Sequence, residues 1–140
     1  MEAILLLPNS AEATSVGTVS ALGIGWSMVS TPTPPTAVII FIKVPWDQTN
    51  TRHQLRLHLV DADGNDVMIA QTPTGEAAPL EVQADFEVGR PPGLPHGTDI
   101  DQVMSLNIAA GMPLIPGETY QWRVQINGEE KAARSFLVRR

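Results

Sequence analysis

The chain contains no cysteine, no long uninterrupted apolar segment, and few aromatic residues, at 5% of its 140 positions. Missing thiols exclude disulfide bonds, thiolate nucleophiles and cysteine-based zinc sites. The apolar run at residues 4–7 stops at Pro8 and follows no basic segment, so it is too short for a signal peptide core or a membrane span. We therefore expect a soluble, cytoplasmic protein without a membrane partner, in keeping with a reducing compartment.

Basic residues are also scarce, since nine Lys and Arg accompany fifteen Asp and Glu, for a net charge of −6. Between Asp61 and Asp101 there are nine acidic residues and a single basic one, Arg90. Nucleic-acid-binding proteins need a basic stripe that neutralises phosphates. Only the C-terminal arginines, Arg134, Arg139 and Arg140, could begin such a stripe, and we expect no nucleic acid partner.

Helix signals are weak. Twelve prolines and eleven glycines are spread along the chain, and no twelve-residue window free of them carries apolar residues at helical spacing. A length near 150 residues is typical of one domain, so residues 1–140 are predicted to form a single domain. A chain of this size needs neither metal nor disulfide to fold.

Strand signals are strong near the C-terminus. Residues 120–126 alternate, with one face formed by Tyr120, Trp122, Val124 and Ile126. Asn127-Gly128 predicts a type I′ turn, because both residues tolerate positive φ. A return strand at about 132–138 follows. Upstream, residues 54–60 alternate with Leu55, Leu57 and Leu59 on the predicted inward face. Residues 80–88 alternate as well, and their outer face is acidic.

Together these patterns predict an all-β fold. We expect a two-layer antiparallel β-sandwich, immunoglobulin-like or fibronectin-like, with about nine short strands. Pro116-Gly117 just before Tyr120 predicts a tyrosine corner, in which the hydroxyl bonds the backbone a few residues upstream. The alternative is that Tyr120 is an ordinary strand residue.

The segment Val38–Val44 is apolar on both faces, with Ile39 and Phe41 on the second face. Such a strand is central and fully buried, or its second face meets a partner. The alternative is that loops or the segment at residues 15–29 cover that face. Both interpretations remain open, and Ile39 and Phe41 are predicted interaction residues.

The longest irregular stretch is Gly89–Asp101, and loops of this length are often functional. Trp46, at a predicted strand end, is the best exposed candidate for stacking on a sugar. The remaining predicted interaction residues are therefore Trp46, Arg90, Pro91, Pro92, Leu94, Pro95 and His96.

No constellation of catalytic, cofactor-binding or metal-ligating residues is found. Asp61–Asn65 resembles the start of a calcium loop, but glycine is not at position six and position twelve is Thr72 instead of Glu. His53 and His58 lie on opposite faces of one predicted strand and are expected to be solvated. No serine occupies a G-x-S-x-G elbow. We therefore predict no enzyme activity, no cofactor and no metal.

Four segments carry a resemblance: Val44-Pro-Trp-Asp47; His53-x-Leu-x-Leu57 with Asp61-Ala-Asp-Gly64; Phe86-Glu-Val-Gly-Arg-Pro-Pro-Gly-Leu-Pro95; and Pro116-Gly-x-x-Tyr120 with Trp122. With them the chain resembles a bacterial family of small single-domain β proteins of unknown function. The similarity spans nearly the whole chain. It implies a stand-alone β domain without an assigned activity, cofactor or partner.

The functional expectation is a non-catalytic binding or assembly module that self-associates or joins a larger protein assembly. One alternative is a β-sandwich that binds a small ligand or carbohydrate. Another is an accessory or structural subunit of a virion or other large particle. The partner in the first case is another protein or a second copy of the chain.

Overall fold

The computed structural model describes residues 1–70 and 75–140, and in them the chain forms strands and one short 3₁₀ helix, Trp46–Gln48. The strands are β1 (Glu2–Leu6), β2 (Ser10–Ala13), β3 (Val19–Leu22), β4 (Met28–Val29), β5 (Thr36–Val44), β6 (Arg52–Val60), β7 (Met68–Ala70), β8 (Ala77–Pro79), β9 (Glu81–Glu87), β10 (Ile100–Ile108), β11 (Thr119–Ile126) and β12 (Glu129–Val138). The all-β prediction is confirmed. No helix within these ranges is long and apolar enough to cross a membrane.

The prediction of about nine strands was too low, because the described residues contain twelve. Two short strands, β2 and β8, account for most of the difference. They are rich in alanine and other small residues, so they lack the alternation that reveals a strand. The sequence also predicts a turn at Pro73-Thr-Gly75, of which only Gly75 lies within the described residues; Thr72 lies outside them.

Two larger sheets carry the rest of the chain. The first has the order β1-β5-β10 and is antiparallel throughout. The second has the order β4-β12-β11-β6-β9, and only its two-residue β4 is parallel to its neighbour. Each sheet therefore ends in one long edge strand, β10 in the first and β9 in the second.

Both sheets contribute to one buried apolar cluster, and strand alternation selects the contributing residues. From three strands it takes Val38, Ile40, Ile42 and Val44 of β5, Leu55, Leu57 and Leu59 of β6, and Trp122, Val124 and Ile126 of β11. Full burial of each large side chain stabilises the fold by roughly 1.5–3 kcal/mol. The inward faces that the sequence predicts for β6 and β11 are confirmed.

The β11–β12 turn has the predicted geometry, with φ of 54° at Asn127 and 82° at Gly128. Asn127 also fastens the turn to the neighbouring strand β6. Its N–H donates to the Gln54 carbonyl at 2.8 Å, and its Oδ1 accepts from the Gln54 N–H at 2.9 Å. The turn residue therefore fixes the end of the five-stranded sheet as well as the hairpin.

The hydrogen bond that the tyrosine corner predicts is present. The Tyr120 hydroxyl accepts from the Ile115 N–H at 2.9 Å, five residues upstream. The Tyr120 ring is buried and stacks on Phe136 of β12, with 6.1 Å between ring centroids. The tyrosine thus ties the segment before β11 to the core.

The second face of β5 is covered in part by the chain itself. Ile39 is only 5% exposed and packs with Ala37 and with Ala11 of β2, while Val19 and Ala21 of β3 lie against this cluster. Part of the cover therefore comes from β3, within the residues 15–29 of the alternative interpretation, and the rest comes from β2, which precedes that segment. Phe41, two residues further along the same face, remains partly exposed.

Replacing Tyr120 with phenylalanine tests the corner hydrogen bond. We expect Tyr120→Phe to lower the free energy of unfolding by about 1 kcal/mol, because a buried hydroxyl loses its bond while the ring is kept. Urea denaturation followed by tryptophan fluorescence measures the difference. An unchanged unfolding midpoint would show that the bond contributes nothing to stability.

Candidate functional site

The register of the strands brings two connecting segments together at one end of the molecule. Val44, the last residue of β5, pairs with Ile100, the first residue of β10. Arg52, the first residue of β6, pairs with Glu87, the last residue of β9. The β5–β6 connection and the β9–β10 loop therefore leave neighbouring strand ends, and the Asn50 N–H donates to the Val88 carbonyl between them at 2.8 Å.

Arg90 joins these two connections. Its Nε donates to Thr49 Oγ1 at 2.6 Å, and its Nη2 donates to the Trp46 carbonyl at 2.8 Å. Its Cζ lies 4.1 Å from the centroid of the Trp46 ring, a cation–π distance. Thr49 is buried, and its hydroxyl donates to the same Trp46 carbonyl at 2.7 Å. We call Trp46, Thr49 and Arg90 the arginine clasp.

The β9–β10 loop is held by two consecutive turns. The Leu94 N–H donates to the Pro91 carbonyl at 3.3 Å, and the Thr98 N–H donates to the Pro95 carbonyl at 3.2 Å. In each turn the third residue is a glycine with positive φ, 81° at Gly93 and 85° at Gly97. Non-glycine residues seldom adopt this conformation, so the glycines set the shape of the loop.

Three of the predicted interaction residues are in contact in the structure: Trp46, Arg90 and His96. The His96 ring lies edge-on to the Trp46 ring, with 4.8 Å between centroids. Pro91, Pro92 and Pro95 are exposed, and Leu94 is half-buried. Ile39 and Phe41 do not join this group, because they lie on the outer face of the three-stranded sheet.

These contacts bear on sugar binding, which stays a prediction. A stacking platform needs an open aromatic face. The Trp46 ring already has the Arg90 guanidinium over it and His96 against it. The Arg90 donors in use bond uncharged oxygens of Thr49 and Trp46, so the clasp first of all shapes the loop.

His53 and His58 lie on opposite faces of β6, as predicted, but the expectation that they are solvated is wrong. His53 is 4% exposed and His58 is 6% exposed. His53 lies between Gln48, whose carbonyl is 2.8 Å from Nε2, and Asn127, whose Nδ2 is 3.0 Å from Nδ1. A tautomer with the proton on Nε2 satisfies both contacts.

His58 belongs to a polar network on the outer face of the five-stranded sheet. Its Nδ1 is 2.8 Å from Asp66 Oδ1, and Asp66 Oδ2 accepts from Arg56 Nη2 at 3.1 Å. Arg56 Nε forms a further ion pair with Glu81 of β9. The network therefore links β6, β9 and the segment that follows the Asp61–Asn65 turn.

The network shifts two pKa values. The hydrogen bond from His58, followed by the bond and charge of Arg56, lowers the pKa of Asp66 even though burial opposes the shift. Burial tends to lower the pKa of Arg56, but hydrogen bonds and charge attraction from Glu81 and Asp66 outweigh it and raise that pKa. Both groups are therefore held in their charged forms.

In this network a histidine, His58, lies next to a carboxylate, Asp66, and these are residue types that also form catalytic pairs. His58 Nε2 is buried and has no hydrogen-bond partner among the described residues. Both carboxylates are engaged by Arg56. No described group of three or more His, Asp or Glu side chains could hold a metal ion. The contacts connect β6 to the edge strand β9 and to Asp66.

The Asp61–Asn65 segment forms a turn between β6 and β7. Asp61 Oδ1 accepts from the N–H groups of Asp63 and Asn65, each at 3.0 Å. Gly64 has a φ of 81°, and its N–H donates to the Asp61 carbonyl at 3.0 Å. The carboxylate is thus used as a backbone acceptor, which is ordinary turn chemistry.

An apolar row crosses the exposed part of the three-stranded sheet. Ile4 of β1 and Val103 of β10 both pair with Phe41 of β5, so the three side chains lie side by side. Ile4 is 53% exposed, and Phe41 and Val103 are partly exposed. We call Ile4, Phe41 and Val103 the apolar row. Beside it on the same face lie the charged residues Glu2, Lys43 and Asp101, paired in the same way.

Sequence reasoning missed Thr49, Asp66 and Ile4. A usable signal existed for Asp66, because the short turn after Val60 places residue 66 next to residue 60. For Ile4 the sequence offered no signal, because its place in the row depends on the pairing of β1 with β5. Thr49 offered none, since its role depends on a loop 41 residues away.

Comparison with known proteins gives one match. Residues 3–139 match DUF6941, a family of unknown function. No curated protein and no solved structure matches the chain. The resemblance that the four sequence segments indicated is confirmed to this extent.

Replacing Arg90 with lysine tests the arginine clasp. Arg90→Lys keeps the charge but loses the planar donor fork, so we expect the free energy of unfolding to fall by about 1 kcal/mol. Urea denaturation measures it. Arg52→Lys, at an exposed position of β6, is the matched control and should be neutral. If the two variants had the same free energy of unfolding, the proposed role of the arginine clasp would be contradicted.

The lowered pKa of Asp66 predicts a pH effect on stability. Its contribution is fully present above its ordinary value of 3.8 and is lost as the pH falls through its lower folded value. The stability difference between the wild type and Asp66→Asn should therefore shrink below about pH 4. Urea midpoints at several pH values measure this, with Asp63→Asn as the charge control. A difference that stays constant down to acidic pH would contradict the prediction.

Proposed function

We propose that this chain, which belongs to the DUF6941 family, is a non-catalytic assembly module that contacts protein partners, including copies of itself, through the apolar row. The observation that carries the proposal is the row itself: three apolar side chains in register across all strands of one sheet. Exposed apolar patches with a polar border mark protein contacts in many proteins.

The covering of Ile39 supports this assignment. The hairpin β2–β3 closes one half of the apolar outer face, so solvent exposure on β5 is confined to the half around Phe41. The uncovered half is bordered on one side by Glu2, Lys43 and Asp101 and on the other by the covered cluster around Ile39. An apolar centre beside charged residues has the layout of a protein interface.

We also propose that the two larger sheets form a two-layer sandwich of the immunoglobulin-like class. Their shared apolar cluster and the Tyr120–Ile115 hydrogen bond support this assignment. In such an architecture the apolar row lies on the outside of one layer. It is then available to a partner without any change in the core.

The non-catalytic part of the proposal rests on how the polar groups are used. Arg90 bonds its own loop, Asp61 bonds its own turn, and Asp66 and Glu81 bond Arg56. Each group has a scaffolding task in the fold. Catalysis would instead need such groups to converge on a site open to substrate.

Substituting Ile4 tests the apolar row. We expect the wild type to self-associate with rising concentration, and Ile4→Lys to raise the dissociation constant about tenfold or more, because a lysine charge would have to be desolvated in the interface. Size-exclusion chromatography with light scattering measures the mass. Ile39 is unsuited to this test, because a buried lysine there would disrupt the fold.

Ile115→Lys serves as the matched control. Ile115 is 63% exposed and lies outside the three-stranded sheet. The Ile115→Lys variant should therefore self-associate as strongly as the wild type. A strictly monomeric wild type, or equal effects of the two lysine variants, would remove the apolar row as the site of assembly.

A further inference from the structure

We propose that the free edge of β10 pairs with β10 of a second copy, antiparallel and around a twofold axis. The proposal builds on the assembly role above but uses a different surface, the sheet edge instead of the apolar row. It would join two three-stranded sheets into one continuous sheet with the order β1-β5-β10-β10-β5-β1.

The first argument is that β10 presents an unpaired edge. It is a nine-residue strand that pairs with β5 on one side along its whole length. No backbone hydrogen bond joins residues 100–108 to any other described part of the chain. A row of unpaired N–H and C=O groups is a ready template for another strand.

The other edges carry devices that block such pairing. On β1, the edge borders β12, where Arg134 Nε donates to the Leu5 carbonyl at 3.0 Å. On the five-stranded sheet, β4 is only two residues long. On β9, seven residues include three carboxylates, Glu81, Asp85 and Glu87. Short edge strands and charged side chains on edge strands both prevent one sheet from pairing with the edge of another.

The second argument is the self-complementarity of β10. In an antiparallel pair that overlaps all nine residues, Met104 lies at the twofold axis. Ile100 then faces Ile108 of the second copy on the core side of the sheet. On the outer side, Asp101 faces Asn107 of the second copy, a carboxylate against an amide that can donate to it.

The same construction fails for β9. Full overlap of that strand with itself centres on Ala84 and places Glu81 opposite Glu87 of the second copy, twice. Like charges directly opposite each other destabilise a strand pair. The two long edges of the molecule are thus opposite in character: β9 repels a copy of itself, whereas β10 matches one.

Pairing at β10 would place the edge end of the apolar row beside the second copy. Val103 would face Ser105 of that copy, next to its Ile39, which its own β2–β3 hairpin covers. The outer faces of the two sheets would become continuous. Edge pairing and contact through the apolar row are therefore compatible, and together they allow assemblies larger than a dimer.

Exchanging charge at residue 107 tests the edge. Asn107 is exposed, so Asn107→Asp should fold normally, and urea denaturation verifies this. It places two carboxylates opposite each other in both outer pairs, so we expect about tenfold weaker dimerisation. The double variant Asp101→Asn with Asn107→Asp exchanges the two groups and should restore wild-type association. Gln48→Glu adds one charge at an exposed position outside β10 and should have no effect.

Sedimentation velocity of the full chain over a concentration series reads out the result, in the wild-type and the Ile4→Lys backgrounds. A dimer that persists with Ile4→Lys, weakens with Asn107→Asp and returns in the double variant supports the edge. If the Ile4→Lys variant is strictly monomeric, the proposed β10 edge pairing is wrong, while contact through the apolar row is supported. Association of Asn107→Asp at wild-type strength also overturns the edge alone. A monomeric wild type overturns both.

Discussion

The structure depends on one central strand, β5, that is apolar on one face and on much of the other. Strand β5 is hydrogen-bonded on both sides, to β1 and β10, and fills the main core with four aliphatic side chains. Its other face needs a second cover, and the hairpin β2–β3 gives it only as far as Ile39. The partial cover leaves Phe41 beside Ile4, and the central position leaves β10 at the edge. Both proposed contact surfaces follow from this strand.

The connections at the ends of β5 and β6 serve a different purpose. Arg90, Thr49 and Trp46 hold the two connecting segments together through hydrogen bonds and a cation–π contact. On the far side of β6, Arg56 and Asp66 fasten the sheet near the edge strand β9. These hydrogen bonds and ion pairs thus connect loops and strands that lie far apart in the sequence.

Several features were predictable because they depend on local periodicity. The alternation in β6 and β11 identified the inward residues, and Asn127-Gly128 identified the turn, since strand faces repeat every two residues and a type I′ turn needs particular residues. The short strands β2 and β8 were missed, because their small residues give no alternation. The burial of His53 and His58 was missed as well, because it depends on distant partners such as Asn127.

The sequence by itself determined the all-β class, the faces of the long strands, and membership of a family of unknown function. These follow from patterns within about ten residues and from matching motifs. Only the tertiary structure decided which half of the second face of β5 is covered, that Arg90 lies on Trp46, and that β10 is an edge. The reason is physical: a strand's order in a sheet, and the contacts of a loop with a distant loop, depend on the burial of the whole chain.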